Sequence, residues 1–206
     1  MLANWITLAR LPLLALYLGI LYVGSPGMRI VGAALLFVGF MLDTVDGVVA
    51  RHRGESSLAG SVLDIAADRA YELALWVAFA HLGLIPVILP LIVLARTTLT
   101  DAFRSLGLAE GMAPFDQPRG RWVRALVSSP WMRTGYAAAK IGAFCGLALA
   151  RAFLDFPADS AWRSAAPGLV AGSTGLAWVA ALLCVLRGAP VIAQGFRQLR
   201  HGAVRA

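Results

Sequence analysis

Eight residues at fixed spacing carry most of the chemistry legible in this chain: Asp43-x2-Asp46-Gly47-x2-Ala50-Arg51-x8-Gly60-x3-Asp64-x3-Asp68. Four of them are carboxylates, yet the residues around them are oily. An acidic side chain at mid-bilayer costs about 2.5–3.5 kcal/mol on the insertion scale, so four cost about 10 kcal/mol. A cost of that size persists when something offsets it. Divalent cations, which take several oxygen ligands, are the simplest offset.

The elements that position these residues follow from the pattern. Asp43 and Asp46 are three apart on a predicted helix and share a face; Asp64 and Asp68 are four apart on the next and also share one. A short polar loop, Arg51 to Ser57, joins the two helices, so they run antiparallel. Asp43 lies about two turns before the loop and Asp64 about two turns after it. All four carboxylates therefore reach one depth and face each other. Gly47, Ala50 and Gly60 leave room for backbone approach or a bulky ligand.

Such a cluster suits two divalent ions, which neutralise a diphosphate and stabilise charge on phosphoryl oxygens during attack. A further carboxylate within hydrogen-bond reach can take the proton of an attacking alcohol. The expectation is metal-assisted phosphoryl transfer at a membrane surface. The competing reading is a set of interface acids paired with Arg51, Arg69 or Arg96.

Composition agrees with a membrane setting. The chain has 206 residues, of which 59% are hydrophobic and only 14% charged; its mean hydropathy is +0.74. Apolar runs of about 20 residues recur, as spanning helices require. The expected fold is all-α: a polytopic membrane protein forming a single domain over 1–206. Six transmembrane helices are predicted near 5–23, 28–50, 58–82, 87–106, 132–153 and 168–186. Ser25-Pro26-Gly27 breaks the first pair, and Gly83 with Pro86 marks a tight turn. The polar stretch 107–130 has room for a short interfacial helix near 121–127. Met1 to Trp5 lacks the basic region and cleavage site of a signal peptide, so the first apolar segment is expected to be retained.

Net charge is +7, nearly all from arginine. In a soluble protein this would suggest nucleic acid; here the positive-inside rule accounts for it, and no nucleic-acid partner is expected. With six crossings, Arg10, Arg51, Arg53, Arg104, the 119–133 cluster and the tail fall on one side. Arg29, Arg151 and Arg163 fall on the other. Both termini and the acidic motif are then cytoplasmic, in a multi-pass protein of the cell (inner) membrane. Cys145 and Cys184 lie inside apolar runs without metal-ligand spacing and read as packing residues.

The stretch from Asp43 to Asp68 resembles the full signature of the CDP-alcohol phosphatidyltransferases, with none of its eight positions missing. Asn4-x2-Thr7-x2-Arg10-x-Pro12 also resembles the segment that precedes the first helix in many members. The resemblance implies displacement of CMP from a CDP-linked lipid such as CDP-diacylglycerol by an alcohol, with Mg2+ or Mn2+, as two ions, in phospholipid biosynthesis. It implies Asp43, Asp46, Asp64 and Asp68 as metal ligands and Asp68 as general base. It implies Thr7, Asp46, Gly47, Ala50, Arg51, Gly60 and Asp64 as contacts to the CDP-lipid, and a homodimer among membrane lipids.

The acceptor is read from weaker signals. Arg96 and Arg104, eight apart, lie at different depths on one side of the fourth helix. Arg133 and Lys140, seven apart, share a face of the fifth. Fixed cations suit an anionic acceptor. The Arg96-x7-Arg104 spacing resembles that of glycerophosphate-using members, and Arg133-Thr134 resembles their Lys-Thr pair. Two features depart from the glycerophosphate pattern, Leu63-Asp64-Ile65 for Leu-Asp-Pro and Asp68-Arg69 for Asp-Lys; the Asp-Arg ending resembles inositol phosphate users instead. Glycerol 3-phosphate is the first expectation, and inositol phosphate or another polar alcohol the second. A metal-ion-binding transporter is the alternative of a different class, since acids in helices often mark ion pathways. It fits less well because the acids cluster at one end and no inverted repeat is visible. A prenyl-transferring enzyme would need more helices and another aspartate spacing.

Overall fold

The computed structural model describes the backbone of residues 2–53, 58–109 and 130–202, and the side chains of residues 11–41, 65–103 and 131–197. Among these the chain is all helix, without a strand. The elements are α1 (Leu2–Val23), α2 (Pro26–Arg53), α3 (Leu58–His81), α4 (Ile88–Ala109), α5 (Pro130–Leu154) and α6 (Ala161–Gly202). The predicted interfacial helix near 121–127 lies outside the described residues.

Local chemistry explains the boundaries. Ser25 caps α2: its hydroxyl accepts from the Met28 amide at 3.4 Å, and Pro26 takes the first helical position, where no N–H is needed. α3 ends where Gly83 enters the left-handed region at φ 70°. The Leu84 amide donates to Phe79 C=O and the Gly83 amide to Ala80 C=O, each at 3.0 Å. That pair of bonds is a Schellman cap, which satisfies carbonyls the helix leaves open. The expected turn at Gly83 is therefore present, and Thr174 of α6 ties to it by donating to Leu84 C=O at 3.2 Å.

Two boundaries differ from expectation. α1 begins at Leu2, so Asn4, Thr7 and Arg10 belong to the helix and do not precede it. α6 runs for 42 residues where the sequence suggested only 168–186. Ser160 starts it early, its hydroxyl accepting from the Arg163 amide at 3.2 Å. It continues past Gly188 and Pro190 because packing against α4 outweighs their low helix propensity. At about 1.5 Å per residue α6 is about 63 Å long, about twice the hydrocarbon thickness of a bilayer.

The chain forms two compact units, residues 1–87 with 141–176, and residues 88–140 with 177–206. In the first, α1 packs on α2 and α3. Its core is aromatic. Phe144 of α5 meets Trp76 edge-on at 4.9 Å between ring centroids, Phe79 at 5.8 Å and Phe40 at 6.1 Å. Phe144, Trp76 and Phe79 are fully buried. α5 and α6 approach closely through glycine: a Cβ on Gly142 would meet Leu176, and one on Gly146 would meet Ser173. Those paired positions show α5 and α6 antiparallel there, with Gly142-x3-Gly146 as their helix contact. At the end of this unit Arg29 donates to Tyr22 C=O at 3.0 Å and pairs with Asp155, which also holds Arg151.

In the second unit α4 and α6 run parallel. Arg96 lies against Gly188 and Phe103 against Gly195, so seven residues on one helix match seven on the other. Phe103 also meets Phe196 edge-on at 5.1 Å.

Among the described residues, α5 over Trp131–Leu154 and α6 over Ala161–Arg197 are long and apolar enough to cross a membrane; α1 and α2 add shorter apolar stretches, Leu11–Val23 and Pro26–Met41. Leu16, Val31, Phe37, Val179 and Leu182 are exposed on these helices. Such apolar exposure suits lipid contact.

Phe144→Ala is expected to lower the stability of the purified protein by about 3–5 kcal/mol, the usual cost of emptying an aromatic site. The check is the thermal midpoint in detergent, with Gly172→Ala, where an added Cβ meets nothing within 4 Å, as a neutral control.

Candidate active site

The motif occupies the facing ends of two helices. Asp43, Asp46, Gly47, Ala50 and Arg51 lie in the last three turns of α2; Gly60, Asp64 and Asp68 lie in the first three turns of α3. The side chains of Asp43, Asp46, Ala50, Arg51 and Asp64 lie outside the described residues, as do those of Thr7 on α1 and Arg104 on α4. Asp68 is described and is half-buried.

What is described is the contact that holds the two helices together beside the motif. Phe40, one turn before Asp43, meets Tyr71, one turn after Asp68 counted three residues on, edge-on at 5.8 Å. The Tyr71 hydroxyl lies 3.4 Å from where a Gly39 Cβ would stand, an ordinary van der Waals distance. Glu72, next to Tyr71, is buried.

Among the described side chains no group of three or more His, Cys, Asp or Glu could hold a metal; three of the four motif aspartates are not among them. The donor set is all carboxylate oxygen, which suits hard cations of the Mg2+ and Mn2+ kind.

The expected acceptor cations belong to the second unit, and three of the four are described. Arg133 is exposed, while Arg96 and Lys140 are half-buried. The structure adds one that the sequence reading assigned to the tail, Arg187 of α6. Its neighbouring like charges are Arg96 and Arg133, and its guanidinium carbon stands 5.8 Å from the centre of the Tyr136 ring. Lys140 Nζ stands 5.3 Å from the same centre. Lys140 and Arg187 thus share the Tyr136 ring, with Arg96 and Arg133 near Arg187. The Nε atoms of both Arg96 and Arg187 are buried without a hydrogen-bond partner. Buried donors normally have partners. The signal for Arg187 was present in the sequence: apolar residues continue beyond it through Val191 and Ile192, so it is embedded in an apolar run and does not terminate one.

Gly188 sets the path of Arg96. A Cβ at Gly188 would fall on the Arg96 side chain, closest to Nε. Arg96 also accepts, through its backbone carbonyl, from the buried Thr100 hydroxyl at 2.7 Å.

Comparison with known proteins identifies the class. The family model described as CDP-alcohol phosphatidyltransferase matches residues 1–148, and the chain belongs to that family, whose members are phosphotransferases for substituted phosphate groups. The chain is also similar to the inner membrane protein YnbA of Escherichia coli (strain K12), with 30% identity over 132 residues, 63% of this chain. The chain covers 65% of the length of that relative. The family match ends inside α5, so α6 and Arg187 lie beyond it.

Gly188→Ala is expected to lower the thermal midpoint in detergent, because the new methyl displaces Arg96. Adding Arg96→Ala should restore most of the loss, whereas Gly175→Ala, which meets nothing within 4 Å, should change little. Additive effects of Gly188→Ala and Arg96→Ala would show that the two residues do not meet.

Proposed function

We propose that this chain moves a phosphatidyl group from CDP-diacylglycerol to the hydroxyl of a phosphorylated alcohol and releases CMP. Glycerol 3-phosphate is the first candidate acceptor and inositol phosphate the second. The observation that carries the reading is the unbroken eight-position motif on the adjoining ends of α2 and α3, in a chain matched over 1–148 by the family model.

Asp43, Asp46, Asp64 and Asp68 would hold two Mg2+ or Mn2+ ions, which supply charge neutralisation at the diphosphate when bound. Thr7, Gly47, Ala50, Arg51 and Gly60 would receive the CDP moiety, the small residues making room for it. Asp68 takes the proton of the acceptor hydroxyl. The hydroxyl oxygen forms a bond to the lipid-linked phosphorus, and the bond from that phosphorus to the bridging oxygen breaks. CMP leaves with the bridging oxygen as a phosphate, a leaving group that needs no general acid. Arg96, Arg104, Arg133, Lys140 and Arg187 supply the positive charge that a phosphorylated acceptor requires.

The topology follows the same reading: six crossings, both termini and the motif cytoplasmic, one catalytic domain over 1–206, and a homodimer. The parallel run of α4 and α6 supports six crossings, since both would then travel in the same direction.

The test is CMP release from CDP-diacylglycerol by purified protein with Mg2+ or Mn2+ and a panel of alcohols. Asp68→Asn should reduce turnover at least a hundredfold, in line with loss of a general base; full activity in that variant removes Asp68 from the role. Arg96→Ala should raise the KM for the acceptor at least tenfold while leaving that for CDP-lipid nearly unchanged. Equal effects on both constants would refute its acceptor role. Metal uptake into proteoliposomes without nucleotide turnover would favour a transporter.

A further inference from the structure

Positive charge is not spread evenly along this chain. Residues 88–140 and 177–206, the second unit, hold eleven Arg and Lys against three Asp and Glu, a surplus of eight. Residues 1–87 and 141–176 hold seven against eight. The net charge of +7 therefore belongs to the second unit. Sidedness in a membrane asks only that basic residues stay on one surface. It does not ask that they stand beside exposed aromatic rings, and at one end of this unit they do.

Trp131, at the start of α5, is 87% exposed, and Phe196, late in α6, is 52% exposed. Arg133 and Arg197 accompany them and are exposed as well. Among the described residues, the apolar spans that fit a bilayer are Trp131–Leu154 and Ala161–Arg197. A chain that crosses along α5 and returns along α6 brings Trp131 and Arg197 to the same membrane surface. The contact of Arg187 with the Tyr136 ring serves as a depth marker. From it α5 leads back about 8 Å to Trp131, and α6 leads on about 14 Å to Phe196. The two rings thus differ by about 6 Å in depth, about the thickness of one headgroup layer. Phe196 is also held in place, since its ring meets Phe103 edge-on at 5.1 Å.

An exposed ring suits the headgroup layer, where its body meets acyl chains and its rim meets water. A guanidinium beside it takes phosphate oxygens by charge-assisted hydrogen bonds. The surplus of positive charge selects among headgroups. A zwitterionic headgroup brings its own cation, which the surplus repels, while an anionic headgroup brings none. We propose that this end of the second unit is a docking surface for anionic phospholipid headgroups. Trp131 and Phe196 seat in the headgroup layer, and Arg197, with Arg133 near Trp131, takes the phosphates. The inference does not depend on which alcohol the enzyme accepts. Arg133 also figures in the acceptor reading, so Trp131 and Arg197 are the residues to vary.

The experiment follows the thermal midpoint of the purified protein in nonionic detergent while short-chain phosphatidylglycerol or phosphatidylcholine is titrated in. Phosphatidylglycerol should stabilise wild type at a concentration at least fivefold below that needed of phosphatidylcholine, and high salt should shrink that advantage. Arg197→Gln should need about fivefold more phosphatidylglycerol for the same shift. Trp131→Ala should also need several times more. Both side chains are exposed, so neither variant should lower the midpoint without lipid. Arg163→Gln, which removes an exposed arginine from the other unit, should respond as wild type does. Equal stabilisation of wild type by the two lipids overturns the proposal. So does a shift that inorganic phosphate reproduces, which would mean a free-anion site. An Arg163→Gln response as weak as that of Arg197→Gln would show an effect of net charge alone and overturns it too, as does an unchanged response in both Arg197→Gln and Trp131→Ala.

Discussion

Phe144 stands where α2, α3 and α5 meet, and the spacing of the two helices that carry the carboxylates depends on it. Trp76 and Phe79 of α3 pack on its ring together with Phe40 of α2, and Phe40 in turn meets Tyr71. Aromatic pairs of this kind add about 0.5–1.5 kcal/mol each beyond the area they bury. They are also stiff, because a ring has few rotamers and a close-packed core cannot deform continuously. A rigid contact one turn from Asp43 and near Asp68 suits the metal site proposed for these carboxylates, whose ligands would have to be held to a fraction of an ångström.

Glycine serves the same purpose where helices must come nearer than side chains allow. Gly142 and Gly146 let α6 lie against α5, and Gly188 and Gly195 receive Arg96 and Phe103. The hydrophobic effect gives little drive for helix association within lipid, so contact area and close approach carry more of the load. α6 contributes to both units. Its first part, through Ser173, packs on α5 in one unit. Its later part, through Gly188 and Gly195, packs on α4 in the other.

Charge is distributed by a different rule in each unit. In the first, Asp155 neutralises Arg29 and Arg151 at the end of the helices, an arrangement that staples chain segments together. In the second, Lys140 and Arg187 lie against the ring of Tyr136, and Arg96 and Arg133 are the like charges near Arg187.

The sequence by itself determined the helical class, most helix positions, the turn at Gly83 and the family signature. Each rests on local rules: hydropathy runs, capping residues, a glycine with positive φ and fixed motif spacing. It singled out Arg96, Arg133 and Lys140 by spacing on α4 and α5. It did not reveal the full length of α6, because Gly188 and Pro190 read as breakers until α4 is packed beside them. It did not separate Arg187 from the basic tail, because a lone arginine near a helix end looks like a topology marker. Nor did it show that Tyr136 faces Lys140 and Arg187. The relation between Tyr136 and Arg187 joins residues about fifty positions apart in the chain, and only tertiary packing brings such residues together. The carboxylate motif was legible because its chemistry is written in spacing along two neighbouring helices; the cation cluster was not, because its members meet only when α4, α5 and α6 pack together.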